Sequence, residues 1–313
     1  MDFISFVSSL KNKFVNQGLG IFLIILAASC YASVALMGKW FISQGMNMSS
    51  TLAIRFGGAM CILWMVVLFR RKKIKKRIAP SILSFFADTA QTLLFFGAVA
   101  RVGVSMAALI YYTFPFFVFL LQKFVCKEPA SRRQWTALAI SLIGGVLAIN
   151  PLESMTMFDS TYLVGIVVGL SGAVAYSCFL VFGSMYTSVS DAITSGAQFT
   201  TGTFLGLLIF SFSTGGFVFP ETVSQWLGSF YLVVVGTVIP LVCLMRGINL
   251  IGANKASLLF TVEPIVTIIL AVMIFGEKFT FVQVIGCAII LSATVYMQKR
   301  TVGEVEEVTT ESA

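Results

Sequence analysis

Asp88, Gln91 and Thr92 stand at i, i+3 and i+4 in an otherwise apolar stretch, the spacing that brings side chains onto one face of a helix. A carboxylate, an amide and a hydroxyl on one stripe can line a polar cavity and hold an ammonium group, or close into a structural hydrogen-bonded cluster between helices. Glu263 lies in a second apolar stretch, directly before Pro264. Proline has no N–H to donate, so it loosens the preceding turn and leaves a backbone carbonyl free near that carboxylate. Glu263 is thereby suited to bind a cation, a proton or a substrate amine; the alternative is a fold-fixing ion bridge to Arg55 or Lys255. Pro115 repeats the arrangement with Phe114 in front of it. Arg55 sits one turn into its apolar run. Either its guanidinium snorkels to the headgroups with the stem in lipid, or it has a gating or structural role. Tyr31, Tyr111, Tyr112 and Tyr176 combine an apolar body with a polar tip, which suits a cavity for amphipathic metabolites. Ordinary packing is the competing explanation in a chain with 30 Phe.

Other chemistries are closed off. The chain has no histidine, so it has no Ser-His-Asp or Cys-His relay, no zinc site of the usual kind and no His-ligated haem. The six cysteines are scattered without a C-x-x-C pair and read as buried free thiols. No G-x-x-x-x-G-K-[ST] loop occurs, which argues against ATP-driven pumping by this chain. The carboxylates are isolated from one another in sequence, so an integral membrane enzyme is not expected, and no cofactor or metal is expected either.

The elements that must position these residues follow from composition. Of 313 residues, 58% are hydrophobic and 11% charged, against roughly 25% charged in an average soluble domain. Too few polar residues remain to coat soluble globules, and the bilayer is the matching solvent. Spanning it takes roughly 20 largely apolar residues as a helix. Ten such stretches occur: Leu19–Gly38, Thr51–Phe69, Ile78–Ala100, Val102–Gln122, Gln134–Ile149, Thr161–Phe182, Ile193–Phe212, Gln225–Met245, Ala253–Phe275 and Phe279–Met297. The expected class is an all-α polytopic membrane protein with ten transmembrane helices. Residues 1–18 form an N-terminal interfacial or cytoplasmic segment, with a short interfacial helix at Met1–Leu10.

Ten spans put both ends on one side, and that side receives 17 of the 21 basic residues. The positive-inside rule then places both termini in the cytoplasm and the chain in the cytoplasmic membrane. The run RRKKIKKR at 70–77 reads as a topology-fixing loop that touches anionic lipid rather than nucleic acid. Residues 299–313 read as an acidic, solvated cytoplasmic tail.

The chain also repeats itself. Shifted by 149 positions, Gly103, Ala107, Leu109, Pro115 and Glu128 fall on Gly252, Ala256, Leu258, Pro264 and Glu277; near a shift of 145, Gly20, Ile21, Tyr31 and Gly38 fall on Gly165, Ile166, Tyr176 and Gly183. Two related units result, 19–150 and 151–298. Each holds five spans, an odd number, so the second must enter the membrane from the opposite face. Inverted five-helix repeats with a site near the midplane are a recurring design of secondary transporters.

The sequence resembles the EamA branch of the drug/metabolite transporter superfamily. The residues that carry the likeness are Arg55–Phe56, the ASLL-x3-EP run at Ala256–Pro264, Gly276–Glu277, Glu128, Gly144, Gly145 and Ala197–Phe199. The resemblance implies a ten-span basket with a central cavity approached by spans 1, 3, 4, 6, 8 and 9, with spans 5 and 10 peripheral. It also implies export or exchange of a small organic metabolite, an amino acid or related compound. An ion gradient would drive this, with protons as a candidate coupling partner. Uptake of a nucleoside-like or S-adenosylmethionine-like metabolite is the alternative within transport; a receptor or scaffold without transport is the alternative outside it. On this reading Tyr31, Asp88, Gln91, Tyr111, Tyr112, Tyr176 and Glu263 line the path, and Arg55, Pro115 and Pro264 gate or shape it.

Overall fold

With no water in the hydrocarbon to satisfy backbone groups, an apolar chain must bond its amides internally, and a helix does so within one segment. The computed structural model describes residues 3–70, 78–102, 104–127, 131–149, 160–187, 191–213, 217–275, 281–282, 284–293 and 296, and all regular structure among them is helical. The basic run 71–77, Gly103, Glu128, the segment 276–280 and the tail 297–313 lie outside the described residues. In chain order the helices are α1 (Phe3–Ser43), α2 (Met48–Arg70), α3 (Ile78–Val102), α4 (Val104–Tyr111), α5 (Phe114–Phe124), α6 (Arg132–Ile149), α7 (Ser160–Thr187) and α8 (Ala192–Ser213). They continue as α9 (Val223–Val233), a π-helical segment (Val234–Val238), α10 (Ile239–Ile251), α11 (Ala253–Phe260), α12 (Glu263–Phe275) and α13 (Val284–Ala293).

Among the described residues, six helices are long and apolar enough to cross a membrane, and Phe114–Phe124 and Val284–Ala293 are shorter apolar helices. The separate interfacial helix expected at Met1–Leu10 is not formed: α1 runs without a break from Phe3 to Ser43. Three of the expected spans are not single regular helices. The stretch Val102–Gln122 divides into α4 and α5 just before Pro115, and Ala253–Phe275 divides into α11 and α12 just before Pro264. Gln225–Met245 is interrupted by the π-helical segment.

Local signals end and start these helices. Asn47 caps α2 by accepting the Ser50 N–H at 2.7 Å, and Thr222 and Gln225 form a reciprocal capping box at α9. Gly252, at φ 82°, makes the sharp joint between α10 and α11, a conformation that a side chain would strain.

Three long pairings join the two halves of the chain. Helix α1 runs antiparallel to α9–α10, with Gly20 against Leu250 and Ile251 and Met37 and Trp40 against Gly228. Helix α2 runs antiparallel to α8, through Leu63 against Gly196, a Trp64 Nε1–Thr201 Oγ1 hydrogen bond of 2.8 Å and Ser50–Ser211 hydroxyls 3.3 Å apart. Helix α3 runs antiparallel to α7, with Val102 against Gly165 and Leu94 against Gly172. These three are the most extensive helix pairings among the described residues. The main core, including Ile24, Phe114, Phe119, Tyr176, Phe199, Met245 and Phe260, fills the space where α1, α5, α7, α8, α10 and α11 meet. Outside it, Phe69, Phe86, Ile209, Phe212, Val223 and Met273 are exposed, as expected of a surface solvated by lipid. None of the six cysteines forms a disulfide; Cys287 is buried as expected, whereas Cys30, Cys126, Cys178 and Cys243 are only partly buried and Cys61 is exposed on that outer surface.

Candidate functional site

Asp88 is 5% exposed on α3, and donors from two helices satisfy its carboxylate. Thr203 on α8 donates to Oδ2 at 2.6 Å, and Gln91 Nε2 donates to Oδ1 at 3.1 Å. The same Gln91 amide lies 2.9 Å from the Thr92 hydroxyl, which donates back to the Asp88 carbonyl at 2.9 Å. Tyr111, at the end of α4, donates to Gln91 Oε1 at 2.5 Å. The expected stripe Asp88–Gln91–Thr92 is therefore present, and it ties α3 to both α4 and α8. Small residues let α8 come near enough. A methyl placed on Gly202 would overlap the Phe85 ring, and one on Gly206 would overlap the Thr89 side chain. This close approach delivers the Thr203 hydroxyl to Asp88.

Arg55 is 8% exposed, which overturns the snorkelling alternative. Its side chain turns into the bundle: Nε donates to Thr237 Oγ1 at 2.7 Å and one terminal nitrogen to the Gly236 carbonyl at 2.6 Å. Both acceptors belong to the π-helical segment, where Thr237 itself donates to the Leu232 carbonyl five residues back. Pro240 follows and has no N–H to return to Gly236, four residues earlier, so that carbonyl is available to the guanidinium. The guanidinium carbon also lies 5.9 Å from the centre of the Tyr31 ring and 5.1 Å from that of Phe56. Among the described residues, no carboxylate stands within 4.0 Å of it, and the salt bridge found joins Arg70 to Asp191 at 3.8 Å.

Glu263 opens α12, immediately after the Thr261–Val262 turn. Its backbone carbonyl accepts from Thr267 at 3.0 Å. Its carboxylate meets no hydrogen-bond donor and no cation among the described residues, so the ion bridge to Arg55 or Lys255 is not formed. Electrostatically it is far from isolated. Tyr31, Arg55, Tyr111, Tyr112 and Tyr176 all lie within the reach of its charge, and the charge of Asp88 reaches Tyr31, Arg55, Tyr111 and Tyr176.

Aromatic rings connect these groups. Tyr176 stacks on Tyr111 at 5.2 Å and meets Phe114 edge-on at 4.9 Å. Phe260 lies 5.8 Å from Tyr31 and 6.3 Å from Tyr176. Phe114, fully buried at the place in the first repeat that Glu263 holds in the second, completes the cluster. Ser177 sends its hydroxyl to the Phe114 carbonyl at 2.9 Å, which ties α7 to the broken span. Pro115 falls in the first turn of α5, after the Tyr112–Thr113 turn, and Pro264 in the first turn of α12.

Of the sequence-derived residues, hydrogen bonds and ring contacts bring together Asp88, Gln91, Tyr111, Tyr176, Tyr31 and Arg55; they do not tie Tyr112, Glu263, Pro115 or Pro264 directly to that cluster. Sequence reasoning missed Thr203, Phe260 and the Gly236–Thr237 pair. Pro240 was the available signal for the last of these, and the Gly202-x-x-x-Gly206 spacing was the signal for Thr203. Among the described residues, no group of acidic, Cys or His side chains could hold a metal ion.

Long apolar helices that enclose a cluster of ionisable and tyrosine side chains mark a multi-pass membrane protein. The EamA-like transporter family matches the chain twice, over residues 18–150 and 163–297, and the chain belongs to that family, within the drug/metabolite transporter superfamily. Among its relatives, the uncharacterized transporter YcbK of Bacillus subtilis is 23% identical over 291 residues, 88% of this chain and 92% of that protein. An uncharacterized transporter of Clostridium kluyveri is 26% identical over 309 residues, 94% of this chain and 98% of that protein. A solved crystal structure with 16% identity has the same fold, with a TM-score of 0.77 over 89% of this chain and 96% of that one.

Proposed function

We propose that the protein is a ten-span secondary transporter. It moves a small organic metabolite, an amino acid or related compound, across the cytoplasmic membrane by alternating access, as export or exchange driven by an ion gradient with protons as the coupling ion. The units 19–150 and 151–298 are the two inverted repeats, and residues 1–18 and 299–313 are cytoplasmic ends. Tyr31, Asp88, Gln91, Tyr111, Tyr112, Tyr176 and Glu263 line the path, while Arg55, Pro115 and Pro264 shape or gate it.

The observation that carries this reading is the pairing between halves. If α1, α2 and α3 of the first unit correspond to α7, α8 and α9–α10 of the second, exchanging the units turns the α1·α10 pairing into the α3·α7 pairing. The same exchange leaves α2·α8 unchanged. Each pairing is antiparallel. The short turn between α1 and α2, together with the parallel run of α3 beside α8 (Phe85 at Gly202, Thr89 at Gly206), then gives corresponding helices opposite directions. Two units related in this way have two near-equivalent packings, the structural basis of alternating access.

Counterflow in proteoliposomes across a panel of radiolabelled metabolites tests the function. Exchange of at least one solute is expected; no flux for any solute would favour a receptor or scaffold. Tags at both ends should report from the cytoplasm, and a single cysteine introduced at Ser213 should label from outside. Labelling there only after permeabilisation would overturn the topology.

A further inference from the structure

Arg55 is buried with more than half of its donors unused. A guanidinium carries five N–H groups in a rigid planar fork. Nε donates to Thr237 Oγ1 at 2.7 Å and Nη2 donates to the Gly236 carbonyl at 2.6 Å. Nε–H and the Nη2–H beside it form the side edge of the fork, and the π-helical segment grips that edge. The second Nη2–H and both hydrogens of Nη1 remain. They meet no acceptor among the described residues.

The unused donors are arranged for one kind of ligand. Nη1 and Nη2 together present two parallel N–H groups, the geometry that matches the two oxygens of a carboxylate. This end edge faces away from the π-helical segment, because the two edges of a planar guanidinium point in different directions. Arg55 is 8% exposed, and its unpartnered Nη1 is not among the polar atoms closed off from the surface. Around it, the guanidinium carbon lies 5.9 Å from the centre of the Tyr31 ring and 5.1 Å from that of Phe56. Rings at this distance keep water away, and a charged hydrogen bond strengthens where water is scarce. An unmatched cationic edge in such a place is costly. The charges of Asp88 and Glu263 reach Arg55, but both carboxylates stand beyond 4.0 Å and leave the edge open.

We propose that the Nη1–Nη2 edge of Arg55 is the subsite for a carboxylate of the transported solute. This rests on the transport reading above and narrows it to solutes that carry a carboxylate; nucleosides fall outside it. Arg55 then works with both edges. The side edge ties α2 of the first unit to the π-helical segment of the second, and the end edge reads the solute. An arriving carboxylate therefore bonds to the group that joins the two units.

Phenylalanine, leucine and threonine, each paired with its primary amide, isolate the carboxylate. The amide keeps the side chain and the ammonium group and replaces the carboxylate with a neutral group of the same shape. Amides carry net positive charge, so two interior carboxylates against one guanidinium favour them. A preference for the acid has to come from a group that reads the carboxylate. Binding of each tritiated compound to the purified full-length protein is the measurement. At least one acid should bind about tenfold tighter than its amide. Arg55→Lys should lose about fivefold of that acid's affinity, since an ammonium presents no planar edge. Arg55→Gln should abolish the difference between acid and amide. Thr237→Val removes a bond from the side edge, so it should lower the unfolding midpoint and keep the acid ahead of its amide. No acid bound at millimolar concentration, or no acid ahead of its amide, would overturn the proposal. So would an undiminished difference in Arg55→Lys, which decides the matter if Arg55→Gln does not fold. Counterflow separates the proposal from the transport reading. Acid-selective binding without flux of any solute sinks transport alone, whereas flux of amides as fast as of their acids sinks the subsite alone.

Discussion

Asp88 and Glu263 are both carboxylates set into apolar helices, and the protein deals with them in opposite ways. Helix α8 is brought against α3 through Gly202 and Gly206, so that Thr203 reaches Asp88, and Gln91 completes its shell from the same helix as Asp88. Glu263 stands at a break between two short helices, with no donor to its carboxylate among the described residues. A buried carboxylate supplied with donors is a joint between helices, whereas the partly buried Glu263 carboxylate joins none among the described residues. The first repeat sharpens the contrast. Its counterpart of Glu263 is Phe114, fully buried and packed against Tyr176, so the two broken spans differ in chemistry while sharing a shape.

The largest effect should come from neutralising the two carboxylates. Glu263→Gln is expected to lower counterflow by more than about tenfold while leaving thermal stability in detergent unchanged, because no native hydrogen bond is lost. Asp88→Asn is expected to lower counterflow by a similar factor and also to cost about 1–3 kcal/mol of stability, because the new amide cannot accept from both Thr203 and Gln91. Measuring flux and unfolding midpoint for both variants breaks the comparison if Glu263→Gln unfolds the protein and Asp88→Asn does not. Next comes the close approach that makes the joint. Gly202→Ala puts a methyl into the Phe85 ring, and separating α8 from α3 is expected to cost about 1–3 kcal/mol. A midpoint equal to wild type would mean that the joint does not depend on this contact.

The joint at Asp88 was partly legible in the sequence and the Arg55 site was not, and the reason is local. Asp88, Gln91 and Thr92 declare themselves because they share one helical face, and helical spacing is independent of the rest of the fold. Thr203 is one of many hydroxyls on α8, and only the direction in which Gly202 and Gly206 face singles it out. The breaks before Pro115 and Pro264 follow from the missing N–H of proline. The six long helices follow from apolar runs that have to bond their own backbones. The sequence leaves Arg55 open between snorkelling and a structural or gating role, and its partners could not be read: one is a backbone carbonyl, which carries no signature of residue type, and the other is one hydroxyl among many. That Gly236 offers its oxygen depends on the π-helical turn and on Pro240, and the helix pairing that brings α2 beside this turn is invisible to periodicity. That no donor among the described residues meets the Glu263 carboxylate is a property of its neighbours in space and could not be read from the chain.

Arg55 offers a test of whether the region responds to charge or to geometry. Arg55→Lys keeps the positive charge opposite the two carboxylates but cannot make the two bonds to Thr237 and Gly236 from one planar group. Counterflow is expected to fall about fivefold with normal insertion, consistent with the loss of one charged hydrogen bond in place of the whole charge. Wild-type flux in this variant would reduce the role of Arg55 to its charge.

The smallest expected effect lies where the two regions touch. Tyr111 donates to Gln91 on the Asp88 side and stacks on Tyr176 on the Glu263 side. Tyr111→Phe removes the first contact and keeps the second. Gln91 Oε1 then loses its donor, which should cost about 1 kcal/mol of stability, since the amide keeps its bonds to Asp88 and Thr92. With the ring stack intact, counterflow should fall no more than about twofold, far less than in Glu263→Gln. Tyr111→Leu keeps neither contact and should lower flux further at similar cost in stability. If Tyr111→Phe instead abolished flux at unchanged stability, the hydroxyl would belong to the transport path, and the division between a braced carboxylate and an unbraced one would have to be redrawn to include both sides of Tyr111.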